Sequence, residues 1–84
     1  MSNPPALSLA PSRPVKHSLT LNGHRTSVSL EDPFWQAFRD IAEDRGVPLN
    51  ALAAEIDHVR GVECGLASAI RLFVLQHYRT HCAR

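Results

Sequence analysis

The stretch HRTSVSLEDP, residues 24–33, joins an alternating segment directly to a helix start. Successive side chains of an extended chain point to opposite sides, so this segment has two different faces. The side that can face a core carries Thr26, Val28 and Leu30. The side that can face a partner carries Arg25, Ser27 and Ser29. A half-buried strand with a polar outer row is therefore predicted.

The end of this stretch predicts the first helix. The Asp32 side chain can accept a hydrogen bond from an unpaired amide at a helix start, and Pro33 tolerates the first helical position. Apolar residues then recur on one stripe up to Arg45, and Gly46 suits a left-handed cap. Trp35 lies beside the stripe and is predicted to pack against the core. The stripe itself comprises Phe34, Phe38, Ile41 and Ala42.

Two more helices are predicted, over residues 48–59 and 66–81, with a break at the two glycines between them. The inward positions of the second helix are Leu49, Leu52, Ala53, Ile56 and Val59. Those of the third helix are Leu66, Ile70, Phe73, Val74 and His77, broadened by Leu75 and Tyr78. So wide a stripe on a short chain predicts burial against another subunit.

The order strand, helix, glycine, helix resembles the ribbon-helix-helix family of DNA-binding proteins over residues 25 to about 60. In that family two chains pair their strands into an antiparallel ribbon that enters the major groove. The resemblance places Arg25, Ser27 and Ser29 where the family contacts base edges. It places Pro48, Leu49 and Asn50 where the family holds a phosphate, although Pro48 replaces the hydroxyl residue that commonly caps this helix.

Residues 16–21 form a second alternating segment, and Asn22-Gly23 is a strong signal for a two-residue type I′ turn. Such a loop sets Leu21 opposite His24 and Ser18 opposite Ser27. The apolar side chains of both strands then share one face. A hairpin departs from the simplest family plan of one strand per chain. Its first strand can flank an intermolecular ribbon, obstruct the groove, or simply cover the helices.

The third helix is also additional to the commoner family plan, and a variant with it occurs in small bacterial proteins. A chain of 84 residues buries only ~60% of its unfolded surface, which favours a shared dimer core. We expect a Pro-rich disordered arm over residues 1–15, one domain over 16–81 and a short tail over 82–84. The expected dimer core consists of Val28, Leu30, Phe34, Phe38, Ile41, Leu52, Ile56, Ile70, Phe73 and Val74.

Charge is unevenly distributed although the net charge is only +1. Residues 13–30 carry Arg13, Lys16 and Arg25 and no acid, whereas all eight acids lie between Glu31 and Glu63. The positive strand region suits a phosphate backbone, so Arg13 and Lys16 are predicted to contact phosphates. Such contacts position a protein on DNA without reading its sequence.

The remaining composition predicts a soluble cytoplasmic protein. No apolar run approaches the roughly 20 residues of a membrane span, and four prolines interrupt the start where a signal peptide would need an apolar centre. Cys64 and Cys82 are the only cysteines, and a reduced state is favoured over a disulfide.

Metal binding and catalysis find little support in the sequence. His77 and His81 have a spacing that can ligate one metal ion, but Cys64 lies nearly five helical turns away. His81 and Cys82 diverge around a helix, with no carboxylate near them in sequence to orient a nucleophile pair. The prediction is therefore no catalytic residue, no metal and no cofactor.

These observations predict a mainly α-helical ribbon-helix-helix-like fold, with an N-terminal β-hairpin and three helices, forming an intertwined homodimer. The predicted function is a sequence-specific DNA-binding transcriptional regulator, a repressor that binds double-stranded DNA, with higher oligomers on DNA left open. The alternative is a protein-interaction module of the same fold, such as the antitoxin of a toxin–antitoxin pair.

Overall fold

A computed structural model describes residues 13–61 and 63–81 of the chain. Most of the predicted arm and the predicted tail, residues 1–12 and 82–84, lie outside the described residues. The elements are β1 (Val15–Leu21), β2 (His24–Leu30), α1 (Asp32–Arg45), α2 (Leu49–Val59) and α3 (Leu66–His81). The predicted N-terminal hairpin and three helices are confirmed, with β1 and α2 each beginning one residue away from the predicted position.

The hairpin has the predicted register. Asn22 and Gly23 both have positive φ, 53° and 83°, as a type I′ turn requires. Leu21 lies opposite His24, and Ser18 lies opposite Ser27. The side of the hairpin that faces the helices buries Leu19, Leu21, Val28 and Leu30.

The start of α1 differs from the prediction. Asp32 is the first helical residue rather than the cap; Glu31 holds the cap position with an extended backbone and without a side-chain cap hydrogen bond. The Glu31 carboxylate is instead bound by Arg71 on α3. Asp32 still places a negative charge in the first turn, where it is favourable for the helix dipole.

The end of α1 is a Schellman motif, as the glycine signal predicted. Gly46 is left-handed, with φ 69° and ψ 33°. The Gly46 amide donates to the Glu43 carbonyl and the Val47 amide donates to the Ala42 carbonyl, each at 3.0 Å. This motif reverses the chain, so that α2 starts back toward the hairpin.

One chain closes its own hydrophobic core, to which both strands and all three helices contribute. Ile70 and Val74 of α3 are 0% and 4% exposed, so α3 is an integral part of this core. Of the expected dimer-core residues, Phe34 and Phe73 are half-buried, and the rest are buried within a single chain. What a second copy adds to this core stays a prediction. No helix among the described residues is long and apolar enough to span a bilayer.

Trp35 packs against the core cluster, and its indole ring stacks on the imidazole of His17. The two ring centroids are 3.8 Å apart and the planes are within 4° of parallel. His17 belongs to β1 and Trp35 to α1, so the stack joins the first strand to the first helix. Both residues are half-buried at the edge of the core.

A bidentate ion pair attaches α3 to the end of β2. Arg71 donates from Nε and Nη2 to the two carboxylate oxygens of Glu31, at 3.0 and 3.2 Å. Both side chains are about one-quarter to one-third exposed, at 26% for Glu31 and 31% for Arg71. The hydrogen bonds from Arg71 hold the pKa of Glu31 below its ordinary value of 4.5.

Replacing Glu31 with glutamine is expected to flatten the acid side of the stability profile. A lowered folded-state pKa means that the carboxylate stabilises the fold above pH 4.5 and that this contribution disappears as pH falls through the lowered pKa. The wild type should therefore exceed Glu31→Gln in free energy of unfolding near neutral pH, and the two should converge in acid. Urea denaturation between pH 3 and pH 7 measures this difference.

Glu55→Gln is the matched control, because Glu55 is an exposed glutamate on α2. Its difference from the wild type should stay small and nearly constant across the same pH range. A Glu31→Gln profile parallel to that of the wild type would contradict a stabilising Glu31–Arg71 pair.

Candidate nucleic-acid interface

The solvent side of the hairpin carries all three residues predicted to read bases. Arg25, Ser27 and Ser29 are exposed. Among the described residues, none of their side chains forms a hydrogen bond or ion pair with another. Together with their cross-strand neighbours they form the ribbon face, which carries two cations and no acid. The ribbon face comprises Lys16, Ser18, Thr20, Arg25, Ser27 and Ser29.

The turn also determines which backbone groups point away from the hairpin. A two-residue loop makes Leu21 and His24 a hydrogen-bonded pair, and such pairs alternate with non-bonded ones along the strands. The non-bonded pairs are Thr20–Arg25, Ser18–Ser27 and Lys16–Ser29, whose amides and carbonyls point to the two outer edges. The hairpin thus has two edges that could each pair with another strand.

The two edges are not equivalent. On the β1 edge, the Thr20 amide donates to Oδ1 of Asn50 at 3.1 Å, so the start of α2 occupies part of this edge. On the β2 edge, no partner is present in residues 13–61 and 63–81 for the outward backbone groups of Arg25, Ser27 and Ser29. The β2 edge is therefore the one left available for strand pairing.

The start of α2 combines free amides with a side-chain amide. Pro48 is its cap without a side-chain hydrogen bond, and the first helical bond runs from the Leu52 amide to the Pro48 carbonyl. The amides of Leu49, Asn50 and Ala51 precede that bond and have no intrahelical acceptor. No acid lies in this first turn. A helix start of this kind attracts an anion.

The Thr20–Asn50 contact brings the predicted phosphate position next to the ribbon face. Sequence reasoning missed this contact, since 30 residues separate the two partners and no local pattern connects them. Because Asn50 Oδ1 accepts the Thr20 amide, its side-chain nitrogen keeps two hydrogens for another acceptor. Lys16 and Arg13 are exposed near the opposite end of β1, so the predicted phosphate contacts fall into two groups.

Two arginines are engaged within the chain and are unlikely phosphate ligands on geometric grounds. Arg71 binds Glu31, as described above. Arg60 pairs with Asp57 at 2.7 Å and donates from Nη1 to the Cys64 carbonyl at 2.7 Å, which closes the turn between α2 and α3. Their positive charges are largely compensated by these internal partners.

The histidines near the end of α3 contact each other. His77 and His81 stack with centroids 4.0 Å apart, and Nδ1 of His81 lies 2.7 Å from the His77 carbonyl oxygen. Burial, followed by the positive neighbours His81 and Arg45, lowers the pKa of His77. The described residues contain no group of three or more side chains arranged to hold a metal ion. Cys82, which the sequence places beside His81, lies outside the described residues.

The family follows from a match that covers most of the chain. Residues 14–78 match the ribbon-helix-helix domain. The chain belongs to the ribbon-helix-helix family. No curated protein and no solved structure matches it. Ribbon-helix-helix domains are typical of DNA-binding regulators and antitoxins. The matched range includes both strands and most of α3, so the hairpin and the third helix are parts of this ribbon-helix-helix domain.

Removing the Asn50 side chain should release the Thr20 amide. Asn50→Ala is expected to lower the free energy of unfolding by about 1 kcal/mol, the usual contribution of one hydrogen bond. Asn50→Asp should retain the contact, since a carboxylate oxygen accepts the same amide and a negative charge suits the start of α2. Hydrogen exchange of the Thr20 amide, followed by NMR, should be faster in Asn50→Ala only. Equal exchange in both variants would argue against the contact.

Proposed function

We propose that this protein is a homodimeric transcriptional regulator, a repressor, that inserts a two-chain β-ribbon into the major groove of double-stranded DNA. The observation that carries the proposal is the exposed row Arg25, Ser27 and Ser29, which lies on a strand whose outer edge has no partner in the described part of the chain. The family assignment supports the proposal, because ribbon-helix-helix domains are typical of DNA-binding regulators.

The proposed base contacts follow from side-chain chemistry. Arg25 can donate two hydrogen bonds to the O6 and N7 acceptors of a guanine. Ser27 and Ser29 can each donate or accept one hydrogen bond, which makes them short and permissive readers. Specificity per half-site is then modest, and two half-sites bound by one dimer compensate for it.

In the proposed dimer, the β2 strands of two copies pair antiparallel and the β1 strands flank them. Strands lie about 4.8 Å apart, so four strands span roughly 14 Å between the outermost axes, compared with a major groove about 12 Å wide. The two central strands therefore enter the groove, and β1 lies over its rim. Lys16 on β1 then faces phosphates, so the first strand flanks the ribbon rather than obstructing it.

The start of α2 completes the proposed phosphate contacts. Pro48, Leu49 and Asn50 form the end of α2 that contacts the β1 edge, and the free amides there can bind one phosphate oxygen. Arg13 and Lys16 add charge at the other end of the strand. These contacts position the dimer, whereas the ribbon face reads the sequence.

The proposed dimer core extends the core that each chain already closes. Phe34 and Phe73 are the two expected core residues that remain half-buried in one chain, and a second copy can cover them. A protein that regulates transcription in this way acts in the cytoplasm and needs no cofactor.

A proline in the outer edge of β2 should prevent dimerisation. The amide of Ser27 points away from β1, so Ser27→Pro leaves the intramolecular ladder intact while removing a donor that β2–β2 pairing needs. Light scattering over a dilution series should then show a monomer where the wild type is a dimer.

Ser18→Pro is the matched control, because Ser18 is the cross-strand partner of Ser27 and its amide points to the β1 edge. This variant should remain dimeric. Loss of the dimer in Ser18→Pro with retention in Ser27→Pro would assign the interface to β1 instead. A folded wild-type monomer at micromolar concentration would remove the shared ribbon altogether.

Arg25→Ala should weaken binding to duplex DNA and reduce its dependence on salt. One bidentate contact to guanine contributes roughly 1–3 kcal/mol, so affinity is expected to fall about tenfold or more. Arg39→Ala removes the same charge from the exposed side of α1 and should have a much smaller effect. Fluorescence anisotropy with a selected duplex at several salt concentrations measures both quantities.

The outcome of this measurement separates the two functional classes. Similar losses in Arg25→Ala and Arg39→Ala would indicate nonspecific charge attraction and not base reading. Absence of duplex binding at low salt would falsify the regulator proposal and favour the protein-interaction module.

A further inference from the structure

Helix α3 has two apolar faces, of which the core uses only one. Ile70 and Val74 are 0% and 4% exposed on the buried face. Leu72 and Leu75 are large and apolar but are 60% and 53% exposed. At 100° per residue, these leucines lie nearly opposite Ile70 on the helix. The core and the proposed ribbon therefore both leave them uncovered.

The exposed face has the spacing of a helix-packing seam. Ser68, Leu72, Leu75 and Arg79 follow one another at intervals of four, three and four residues, and all four are exposed. This spacing places them within an arc of about 60°, as in the seam of a two-helix coiled coil. We define the α3 seam as these four residues.

We propose that the α3 seam binds the same seam of a second copy of this chain, with the two helices antiparallel. Arg79 is the only charged residue of the seam. A parallel pair would place the two Arg79 side chains side by side. An antiparallel pair centred between Leu72 and Leu75 separates their positions by roughly 16 Å along the axis and packs leucine against leucine.

Charge at the helix ends favours the same arrangement. In an antiparallel pair, Arg79 of one copy lies beside the N-terminal end of the other helix. The exposed Glu63 of that second copy precedes its α3 by three residues and offers a carboxylate there. The dipoles of two antiparallel helices also attract each other.

The size of the seam decides what kind of contact it makes. A helix of 16 residues is about 24 Å long, and a contact strip about 10 Å wide buries roughly 500 Å² over both copies. Stable interfaces bury at least about 1,200 Å². The seam is therefore a weak contact, with a dissociation constant on the order of 100 µM, which joins dimers rather than creating them. It is independent of β2 pairing.

Sedimentation equilibrium of the full chain between about 10 µM and 1 mM tests this proposal. The wild type should show an average mass that rises by up to twofold with concentration. Leu75→Glu places carboxylates at the centre of the seam and should weaken this association at least tenfold. Thr80→Glu is the matched control, since Thr80 is exposed on the same helix about 100° away from the seam, and it should behave as the wild type.

Combining these changes with Ser27→Pro separates the seam from the ribbon. In that background the chain should still associate weakly from monomer to dimer, and Leu75→Glu should abolish this association. That result stands even if the ribbon proposal fails. Identical sedimentation of the wild type and Leu75→Glu overturns the seam, and so does an equal loss in Thr80→Glu. Circular dichroism shows that each variant remains folded.

Discussion

The two-residue turn at Asn22 and Gly23 is the constraint on which the ribbon face depends. A loop of this length fixes the parity of the hairpin, and parity decides which side chains face the helices and which face solvent. Because both turn residues adopt positive φ, Leu19 and Val28 share the buried face while Arg25 and Ser27 share the open one. A loop one residue longer would mix the two sets and remove both the apolar underside and the polar outer row.

The third helix is as central to this domain as the ribbon strand. Ile70 and Val74 enter the core, and the Arg71 guanidinium grips the carboxylate of Glu31 where β2 passes into α1. Glu31 thus serves the contact with α3 instead of capping its own helix. The consequence is a chain that closes a core by itself, so that strand pairing between copies can serve recognition rather than supply the whole of the stability.

Electrostatics are sorted by contacts and not only by position along the chain. Arg60 and Arg71 are compensated by Asp57 and Glu31, whereas Lys16 and Arg25 stay exposed on the ribbon face. Asn50 uses its oxygen on the Thr20 amide, which leaves its nitrogen for an acceptor outside the chain. The open face of the hairpin is therefore positive although the net charge of the chain is only +1.

Local patterns in the sequence determined the hairpin register, the bounds of α1 and α3, the left-handed cap at Gly46 and the exposure of Arg25, because each depends on periodicity or on turn chemistry within a few residues. Only the tertiary structure decided that Asn50 occupies the β1 edge, that Arg71 holds Glu31, and that a single chain buries Ile70 with Phe38. These contacts join residues 30 or more positions apart, and their geometry depends on how the helices pack, which no local pattern encodes.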